Sequence, residues 1–144
     1  MLSKTSQYAL RAILHLADQP AGRSVSASDL ARDLGVPANY LSKILHTLTR
    51  DGLLRSERGP GGGFRLARAP HEVTVADAIE PFEKLAGPRV CLLGRPVCRD
   101  SNACAVHEAW KVASEGMLQF FRGTTVGELQ GTAPVKPVNG PRRR

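Results

Sequence analysis

The spacing of apolar residues predicts a chain made mainly of helices. The clearest pattern lies in residues 37–51, where apolar side chains fall at i, i+3, i+4 and i+7, namely Leu41, Ile44, Leu45 and Leu48. Pro37 suits the first turn of this helix, because its missing N–H would have no helical partner there. Gly52 suits the end of the helix.

The same criterion predicts helices before and after this one. They span residues 3–18, 26–34, 74–85 and 104–121. Two short strand-like runs, residues 53–56 and 64–68, are joined by a glycine-rich turn at residues 57–63 and predict a β-hairpin. Residues 88–103 show no sustained period and predict an irregular loop, whereas residues 124–129 predict one further helical turn.

The order of these elements is typical of a winged helix-turn-helix, in which two helices with a short link are followed by a hairpin wing. We therefore predict a mainly α fold with a small β-wing, followed by a long C-terminal dimerisation helix. The apolar stripe of residues 104–121 is too long for so small a domain to bury alone, which favours a homodimer. Three regions are expected: a winged helix-turn-helix DNA-binding region at 1–70, a connector helix, cysteine loop and dimerisation helix at 71–130, and a disordered basic tail at 131–144.

The polar face of the helix at residues 37–51 carries basic and hydrogen-bonding side chains and no acidic residue. The turn of the hairpin contains four glycines, which let backbone N–H groups approach phosphate without obstruction by a Cβ atom. Together these features favour DNA binding over a solvated hairpin with incidental charge. The residues expected to contact DNA are Ser28, Pro37, Ala38, Asn39, Tyr40, Ser42, Lys43, His46, Arg50, Arg55, Arg58, Gly59, Pro60, Gly61 and Gly62.

The charge distribution also favours a polyanionic partner. The 144-residue chain has a formal net charge of +7; Lys and Arg against Asp and Glu give +5 over residues 1–70, −1 over 71–123 and +3 over 124–144. No apolar run is long enough to cross a bilayer and the N-terminus lacks a signal-peptide core, so we expect no membrane partner and a cytoplasmic protein. An enzyme is not expected, because no motif places paired carboxylates, a Cys-x-x-Cys pair or a Ser/His/Asp set.

Three cysteines and a histidine are concentrated in one stretch of the sequence. Cys91, Cys98 and Cys104 are separated by six and five residues, and His107 follows Cys104 by three. The odd number argues against a disulfide framework, and so short a loop can gather three thiolates and an imidazole around one centre. This donor set suits an iron–sulfur cluster or zinc. A metal-free thiol-redox switch and a structural zinc site remain alternatives, although the close cysteine spacing of most zinc modules is absent.

Two parts of the sequence resemble a known family. The run YLSKIL at residues 40–45, with GLL at 52–54, and the wing run RGPGGGF at 58–64 are similar to the bacterial winged-helix regulators of the IscR and NsrR type. The similarity extends over about residues 1–130. It implies a sequence-specific transcriptional regulator, expected to be a repressor, that binds an inverted-repeat operator in double-stranded DNA. Its DNA affinity would be controlled by an iron–sulfur cluster or by redox state at residues 91–107.

The resemblance also implies a ligand set. Members hold a cluster with three loop cysteines, and in IscR-like members a histidine three residues after the third completes a 2Fe–2S site. The implied ligands are Cys91, Cys98, Cys104 and His107. Other members use an acid of the first helix, and residues 1–17 contain none, so 2Fe–2S is favoured over 4Fe–4S. The first cysteine gap is six residues where five is common, and Ser42 and Lys43 replace a glutamate of IscR, so its operator does not transfer.

Overall fold

Every predicted helix forms in the computed structural model, which describes residues 2–131. The helices are α1 Lys4–Ala17, α2 Ala27–Leu34, α3 Ala38–Arg50, α4 Val75–Ile79 and α5 His107–Gly123, and the strands are β1 Leu54–Glu57 and β2 Gly63–Leu66. Single 3₁₀ turns occur at Pro70–Glu72, Asp100–Asn102 and Gly127–Leu129. The predicted mainly α fold class with a small β-wing is therefore confirmed. Of the predicted tail at 131–144, all but Gly131 lies outside the described residues.

The helix-turn-helix is closed by local hydrogen bonds. The Ser26 side chain caps α2 by accepting from the Asp29 N–H at 3.1 Å. Gly35 ends α2 with a positive φ of 65°, a conformation that glycine adopts without steric cost. Its N–H and the Val36 N–H then satisfy carbonyl groups of the last turn of α2, and α3 begins two residues later. The link is therefore short enough to fix the crossing of the two helices.

One hydrophobic core joins the two main predicted regions of the chain. The apolar face of α3 is its centre, with Leu41, Ile44, Leu45 and Leu48 at most 2% exposed. The face of α4 and the buried residues Phe121 and Val126, at and beyond the end of α5, pack into the same cluster. The connector helix is thus part of the support of α3.

Helix α4 is shorter than predicted. Thr74 and Asp77 cap it reciprocally, as the sequence indicates, but the helix ends at Ile79 and not at Leu85. Pro81 follows two residues later, and proline has no N–H to continue a helix. Phe82 and Leu85 nevertheless lie partly buried against the core.

The wing is fastened to the segment before α2. Strands β1 and β2 pair antiparallel, and Val25 adds a third short edge by exchanging two backbone hydrogen bonds with Phe64 at 2.8 and 2.9 Å. Gly63 has φ of 143°, and a Cβ there would lie 2.3 Å from the Val25 carbonyl oxygen. This close backbone approach requires glycine, and the sequence pattern did not reveal the Val25 edge.

Helix α5 begins three residues later than predicted. The residues from Cys104 to Val106 form a turn in which the His107 N–H donates to the Cys104 carbonyl at 3.0 Å. Only a narrow line of α5 is buried, at positions seven apart: His107, Ser114 and Phe121. Apolar side chains elsewhere on α5 are exposed, including Val112 at 70% and Phe120 at 54%. Within the described residues, no helix has the length and apolar character needed to cross a membrane.

Candidate nucleic-acid interface and cysteine loop

The exposed face of α3 presents a stripe of donors. Four of its side chains follow helical spacing and are exposed: Asn39, Lys43, His46 and Arg50. Pro37 and Ala38 are exposed at the start of the helix, Ser42 is half-buried beside the stripe, and Ser28 is exposed in the first turn of α2. The structure thus gathers the predicted residues of α3 on a single face without acidic neighbours on that helix.

Two residues of this face are also held by the surrounding fold. The His46 ring packs edge to face against Phe64 of β2, with ring centroids 5.9 Å apart. The Tyr40 hydroxyl is hydrogen-bonded to the Thr5 hydroxyl of α1, and its ring packs edge to face on Tyr8. Tyr40, 38% exposed, therefore connects α3 with α1 as well as facing solvent.

The tip of the wing is exposed and basic. Residues 58–61 are all exposed, and the Gly62 N–H closes the turn on the Gly59 carbonyl at 2.9 Å. A Cβ at Gly62 would lie 2.4 Å from the Glu57 carbonyl oxygen, so this tight turn needs glycine. Arg55 and Arg58 have no acidic partner among the described residues. They are therefore available for phosphate contacts.

Other wing charges are already paired. The Arg65 Nε donates to Glu57 at 2.7 Å, and the Ser24 hydroxyl donates to the same carboxylate at 2.8 Å. The Ser24 hydroxyl and then Arg65 hold the pKa of Glu57 below its ordinary value. Arg65 thus stabilises the base of the wing, which leaves Arg55 and Arg58 as its unpaired cations within the described chain.

The cysteine loop brings two of the four predicted ligands into contact. Cys98 Sγ lies 3.4 Å from His107 Nδ1. Cys91 and His107 are buried, at 8% and 2% exposure, whereas Cys98 and Cys104 are half-buried. The site lies where the irregular loop meets the first residue of α5.

Asp100 orients the imidazole. His107 Nε2 lies 2.8 Å from Asp100 Oδ1, so this nitrogen donates its proton to the carboxylate and leaves Nδ1 free to face Cys98. The His107 hydrogen bond and then the Lys111 charge hold the pKa of Asp100 below its ordinary value. An acid that holds one imidazole nitrogen while the other faces a thiol is a common support for a metal-binding histidine.

Cys91 lies in an environment that favours thiolate. The backbone N–H of Arg95 is the main cause of a lowered pKa for Cys91, and the Leu93 N–H, the Arg95 charge and the Cys98 thiol add to it against burial. Thiolate is both the metal-binding and the nucleophilic form of cysteine. The site chemistry therefore fits an iron–sulfur cluster and also fits a redox-active thiol.

The predicted ligands are not drawn into one compact set. Within the described chain, three potential ligand atoms within 4.8 Å of one another belong to Asp100, His107 and Glu108. The Lys111 ammonium lies 3.5 Å from both oxygens of Asp100, so it already balances that charge. Cys104 lies in the turn before α5, outside the helix that the sequence predicted to begin there. Within the described chain, no three of the four predicted ligands lie within 4.8 Å of one another.

Sequence reasoning missed the residues that hold the loop in place. Asn102 binds the Arg99 N–H and the Val97 carbonyl, and Arg95 donates to the Asn102 carbonyl at 2.9 Å. The Trp110 indole of α5 donates to the Val90 carbonyl at 2.8 Å, directly before Cys91. The one sequence feature that pointed to these contacts is the presence of Asp100 and Asn102 in the loop. In an irregular segment, such side chains commonly form hydrogen bonds with backbone groups that lack a secondary-structure partner.

Comparison with known proteins identifies relatives along the whole described chain. The model of the Rrf2 family, described as an iron-dependent transcriptional regulator, matches residues 2–132. A protein of Aquifex aeolicus described as an HTH-type transcriptional regulator is 35% identical over 131 residues, which cover 90% of each chain. The HTH-type transcriptional regulator IscR of Escherichia coli is 28% identical over 139 residues, covering 96% of this chain and 85% of IscR.

Solved structures share the fold. The global cysteine regulator CymR of B. subtilis matches with a TM-score of 0.74 at 24% identity, covering 90% of this chain and 95% of CymR. IscR of T. potens matches with a TM-score of 0.71 at 22% identity, covering 90% of this chain and 85% of that one. An oxidized form of Staphylococcus aureus CymR matches with a TM-score of 0.74 at 22% identity, covering 92% of this chain and 98% of that one.

Proposed function

The chain belongs to the Rrf2 family of transcriptional regulators, and on that premise we propose that the state of its cysteine loop controls its affinity for DNA. The family and the relatives are regulators and not enzymes, so DNA binding is the activity to be controlled. The loop is the segment from Cys91 to His107. A group bound there, or an oxidation there, would act on the DNA-binding head, which is the part of the chain from α1 to β2. This head shares one hydrophobic core with α4 and the end of α5.

The observation that carries this proposal is the contact between Cys98 and His107. His107 is the first residue of α5 and is almost completely buried, yet its Nδ1 faces a thiol at 3.4 Å. Asp100 holds the other ring nitrogen at 2.8 Å. A carboxylate on one nitrogen of an imidazole is the usual support of a metal-binding histidine, and here it leaves Nδ1 directed at Cys98, an arrangement that suits a metal-bearing group.

The donor set favours an iron–sulfur cluster as the occupant. Cys91, Cys98, Cys104 and His107 would hold it, and three sulfurs with one nitrogen suit 2Fe–2S better than 4Fe–4S in this chain. When bound, such a cluster supplies reversible redox and ligand-exchange chemistry. The protein contributes the thiolate-favouring hydrogen bonds at Cys91 and the fixed imidazole orientation at His107. Cys104, half-buried in a turn, would have to approach the others.

A metal-free thiol switch is the second candidate, and one observation favours it. The pKa of Cys91 is lowered, chiefly by the Arg95 backbone N–H, and the Cys98 thiol adds to that lowering, so an activated thiol has a second thiol nearby. An oxidant such as a peroxide or a disulfide could take two electrons and join these sulfurs, releasing two protons. A structure of CymR, a regulator with the same fold, is described as an oxidized form.

The exposed apolar side chains of α5 support a homodimer. Val112, Met117 and Phe120 are 41–70% exposed on one chain, which is costly in water and favours burial against a second copy. Two identical subunits related by a two-fold axis would bind an inverted-repeat operator in double-stranded DNA. Since α5 begins at the cysteine loop and would end in the dimer contact, the loop is placed to affect the spacing of the two heads.

The DNA contacts divide into two roles. The exposed stripe of α3, with Lys43 at its centre, would reach base edges in the major groove, while Arg55, Arg58 and the glycine turn would contact the backbone. Ser28 at the start of α2 would contact phosphate. Binding would repress transcription if the operator overlaps a promoter. A promoter assay measures whether binding represses or activates.

The test is a comparison of loaded and unloaded protein. Anaerobically purified protein should be brown, with about two irons and two sulfides per chain, and should lose colour when His107→Ala is introduced. His71→Ala is the matched control, because His71 is an exposed histidine outside the loop. DNA affinity, measured on a duplex selected from a random pool by the wild-type protein, should differ about 5–150-fold between loaded and cluster-free protein.

Other outcomes separate the candidates. A colourless protein whose affinity changes on oxidation, with a Cys91–Cys98 disulfide in mass spectrometry, would replace the cluster by the thiol switch. A protein whose affinity is the same in all these states, and the same in Cys98→Ala, would contradict control by the loop altogether. Such a protein would still bind DNA as a member of its family.

A further inference from the structure

Glu83 attaches the chain before the cysteine loop to the beginning of α1. It lies between α4 and the loop, eight residues before Cys91. Its Oε1 accepts two hydrogen bonds, from the Ser3 backbone N–H and from the Ser6 hydroxyl, both at 2.7 Å. Ser6 is completely buried. A carboxylate at a helix N-terminus is stabilised by unpaired N–H groups and by the helix dipole, so this attachment is charge-assisted.

The next turns of α1 hold the recognition helix. Thr5, directly beside Ser6, shares a hydrogen bond between hydroxyl groups with Tyr40, the third residue of α3. Tyr8, one turn later, packs edge to face on the ring of Tyr40 with centroids 5.9 Å apart. The start of α3, from which the exposed stripe begins, is therefore positioned by α1.

The same helix also holds the end of α2. The Arg11 guanidinium lies over the Tyr8 ring at 5.9 Å and donates to the Leu34 carbonyl at 2.7 Å. Leu34 is the last residue of α2, directly before the link to α3. Arg11 Nε is buried and has no hydrogen-bond partner within the described chain. Through Arg11, α1 therefore also holds the end of the helix that precedes α3.

We propose that the N-terminal half of α1 transmits the state of the cysteine loop to the recognition helix, with Glu83 and Thr5 as positioning residues. This inference rests on the proposed control of DNA affinity by the loop. Helix α1 is bonded to Glu83 at its N-terminal end and to Tyr40 and Leu34 along its side. Because the helix is rigid, a displacement of residues 80–90 would become a shift of the helix-turn-helix. The apolar contact of α1 with α4 is the competing explanation, since it would transmit the displacement without either hydrogen bond.

The experiment compares the loop response of four single variants and one double variant. For each, affinity for the selected duplex is measured with the loop loaded under anaerobic conditions and after removal of iron by a chelator, and the ratio is the response. Glu83→Ala and Thr5→Val each remove one hydrogen-bonded contact. Glu80→Ala is the matched control, because Glu80 is an exposed acid of the same segment and has no hydrogen bond or ion pair to α1 in the described structure. Glu83→Gln keeps an oxygen that can accept from Ser3 and Ser6.

We expect the response to fall at least about threefold in Glu83→Ala and in Thr5→Val, out of a total of about 5–150-fold. Affinity for random duplex should stay at the wild-type value, because neither residue is among the predicted DNA contacts. Glu80→Ala should respond like wild type, and Glu83→Gln should recover most of the response. The double variant Glu83→Ala/Thr5→Val should lose less than the product of the two single losses, since both act through one helix.

Three results would overturn the inference. A full wild-type response in both single variants would assign transmission to the apolar contact of α1 with α4. An equal loss in Glu80→Ala would assign it to the general charge of the segment. A loss of random-duplex affinity in parallel with the selected duplex, together with a lower melting temperature, would make Glu83 and Thr5 structural residues only. If the wild-type protein itself has the same affinity with the loop loaded and unloaded, the proposed control by the loop fails. That result is distinct from the three above, which concern only how the signal is transmitted.

Discussion

The DNA-binding head and the cysteine loop are stabilised in opposite ways. In the head, α3 places four apolar side chains at most 2% exposed in a shared core, and a side-chain cap and a positive-φ glycine fix α2. In the loop, Cys91 is the buried apolar residue of the stretch before α5, and the backbone is held by polar contacts of Arg95, Asn102 and Trp110. Leu92 and Leu93 are 56% and 63% exposed there.

This difference indicates how regulation can act without unfolding the protein. Burial of apolar surface provides most of the free energy of folding, so the head is formed whatever the loop does. Exposed polar contacts contribute little net free energy, so the loop belongs to the low-stability part of the molecule. Binding of a group at the loop can therefore reorder it at small cost while the DNA-binding surface stays intact.

The largest effect on stability should come from creating a cavity in the hydrophobic core of the DNA-binding head. Leu45→Ala should lower the free energy of unfolding by about 2–5 kcal/mol, because it leaves a cavity beneath the recognition helix. Leu93→Ala, the same change in the loop, should stay within about 0.5 kcal/mol of wild type. Urea unfolding at a fixed protein concentration measures both. Similar losses in the two variants would mean that the loop has a core of its own, against the comparison above.

The next effect concerns the support of His107. Asp100→Asn should weaken binding of the metal-bearing group about 10–100-fold, because the acid that orients the imidazole becomes a neutral amide. Glu108→Gln is the control, since that exposed acid lies 4.0 Å from the same nitrogen. Competition with a chelator, followed by visible absorbance, gives the affinities. Equal weakening in both variants would show that general negative charge, and not the Asp100 contact, is what matters.

A smaller effect should separate the free and the paired arginines of the wing. Arg58→Ala should weaken binding to all DNA sequences alike and reduce the salt dependence of log K by about one unit per subunit. Arg65→Ala should change the salt dependence less, because Arg65 already pairs with Glu57. Fluorescence anisotropy with random duplex over a range of NaCl concentrations measures both slopes. If the two slopes fall equally, the pairing seen at Arg65 does not persist on DNA.

The smallest effect is a pH dependence of the wing. The pKa of Glu57 is lowered, mainly by the Ser24 hydroxyl and then by Arg65, so its contribution to stability is present above the ordinary glutamate pKa and is lost as pH falls through the lowered value. Ser24→Ala should move the titration midpoint of Glu57 upward, as followed by NMR of its carboxyl carbon. An unchanged midpoint would show that the hydroxyl is not the main cause.

The head could be predicted from the sequence because its elements have a period. The predicted helix at 37–51 and the observed α3, Ala38–Arg50, differ by one residue at each end, and Ser26 caps α2 as its sequence indicates. The single-residue edge at Val25 could not be predicted, because one backbone pairing has no alternation to reveal it. Helix α4 ended early at a proline that the apolar spacing ignored.

For the cysteine loop, the sequence predicted which residue types are present but not which side chains contact one another. Its cysteines and His107 were found by type and spacing, but an irregular backbone gives no period that shows which side chains face one another. The roles of Asp100 and Glu83 depend on contacts across seven and 80 residues of sequence, which only the folded chain brings together. The gathering of Cys104 with the other ligands stays a prediction, and so does the three-region organisation of the chain.

The backbone contact between Gly63 and Val25 has a consequence for how operators are distinguished. Because backbone hydrogen bonds join the hairpin to the residue before α2, α3 and the hairpin would keep a constant relation to each other if they bind the groove and the DNA backbone as proposed. The base preference of a half-site would then be the same with or without an effector. What an effector alters would be the number of base pairs tolerated between half-sites, and operators with altered spacers would respond to the signal differently.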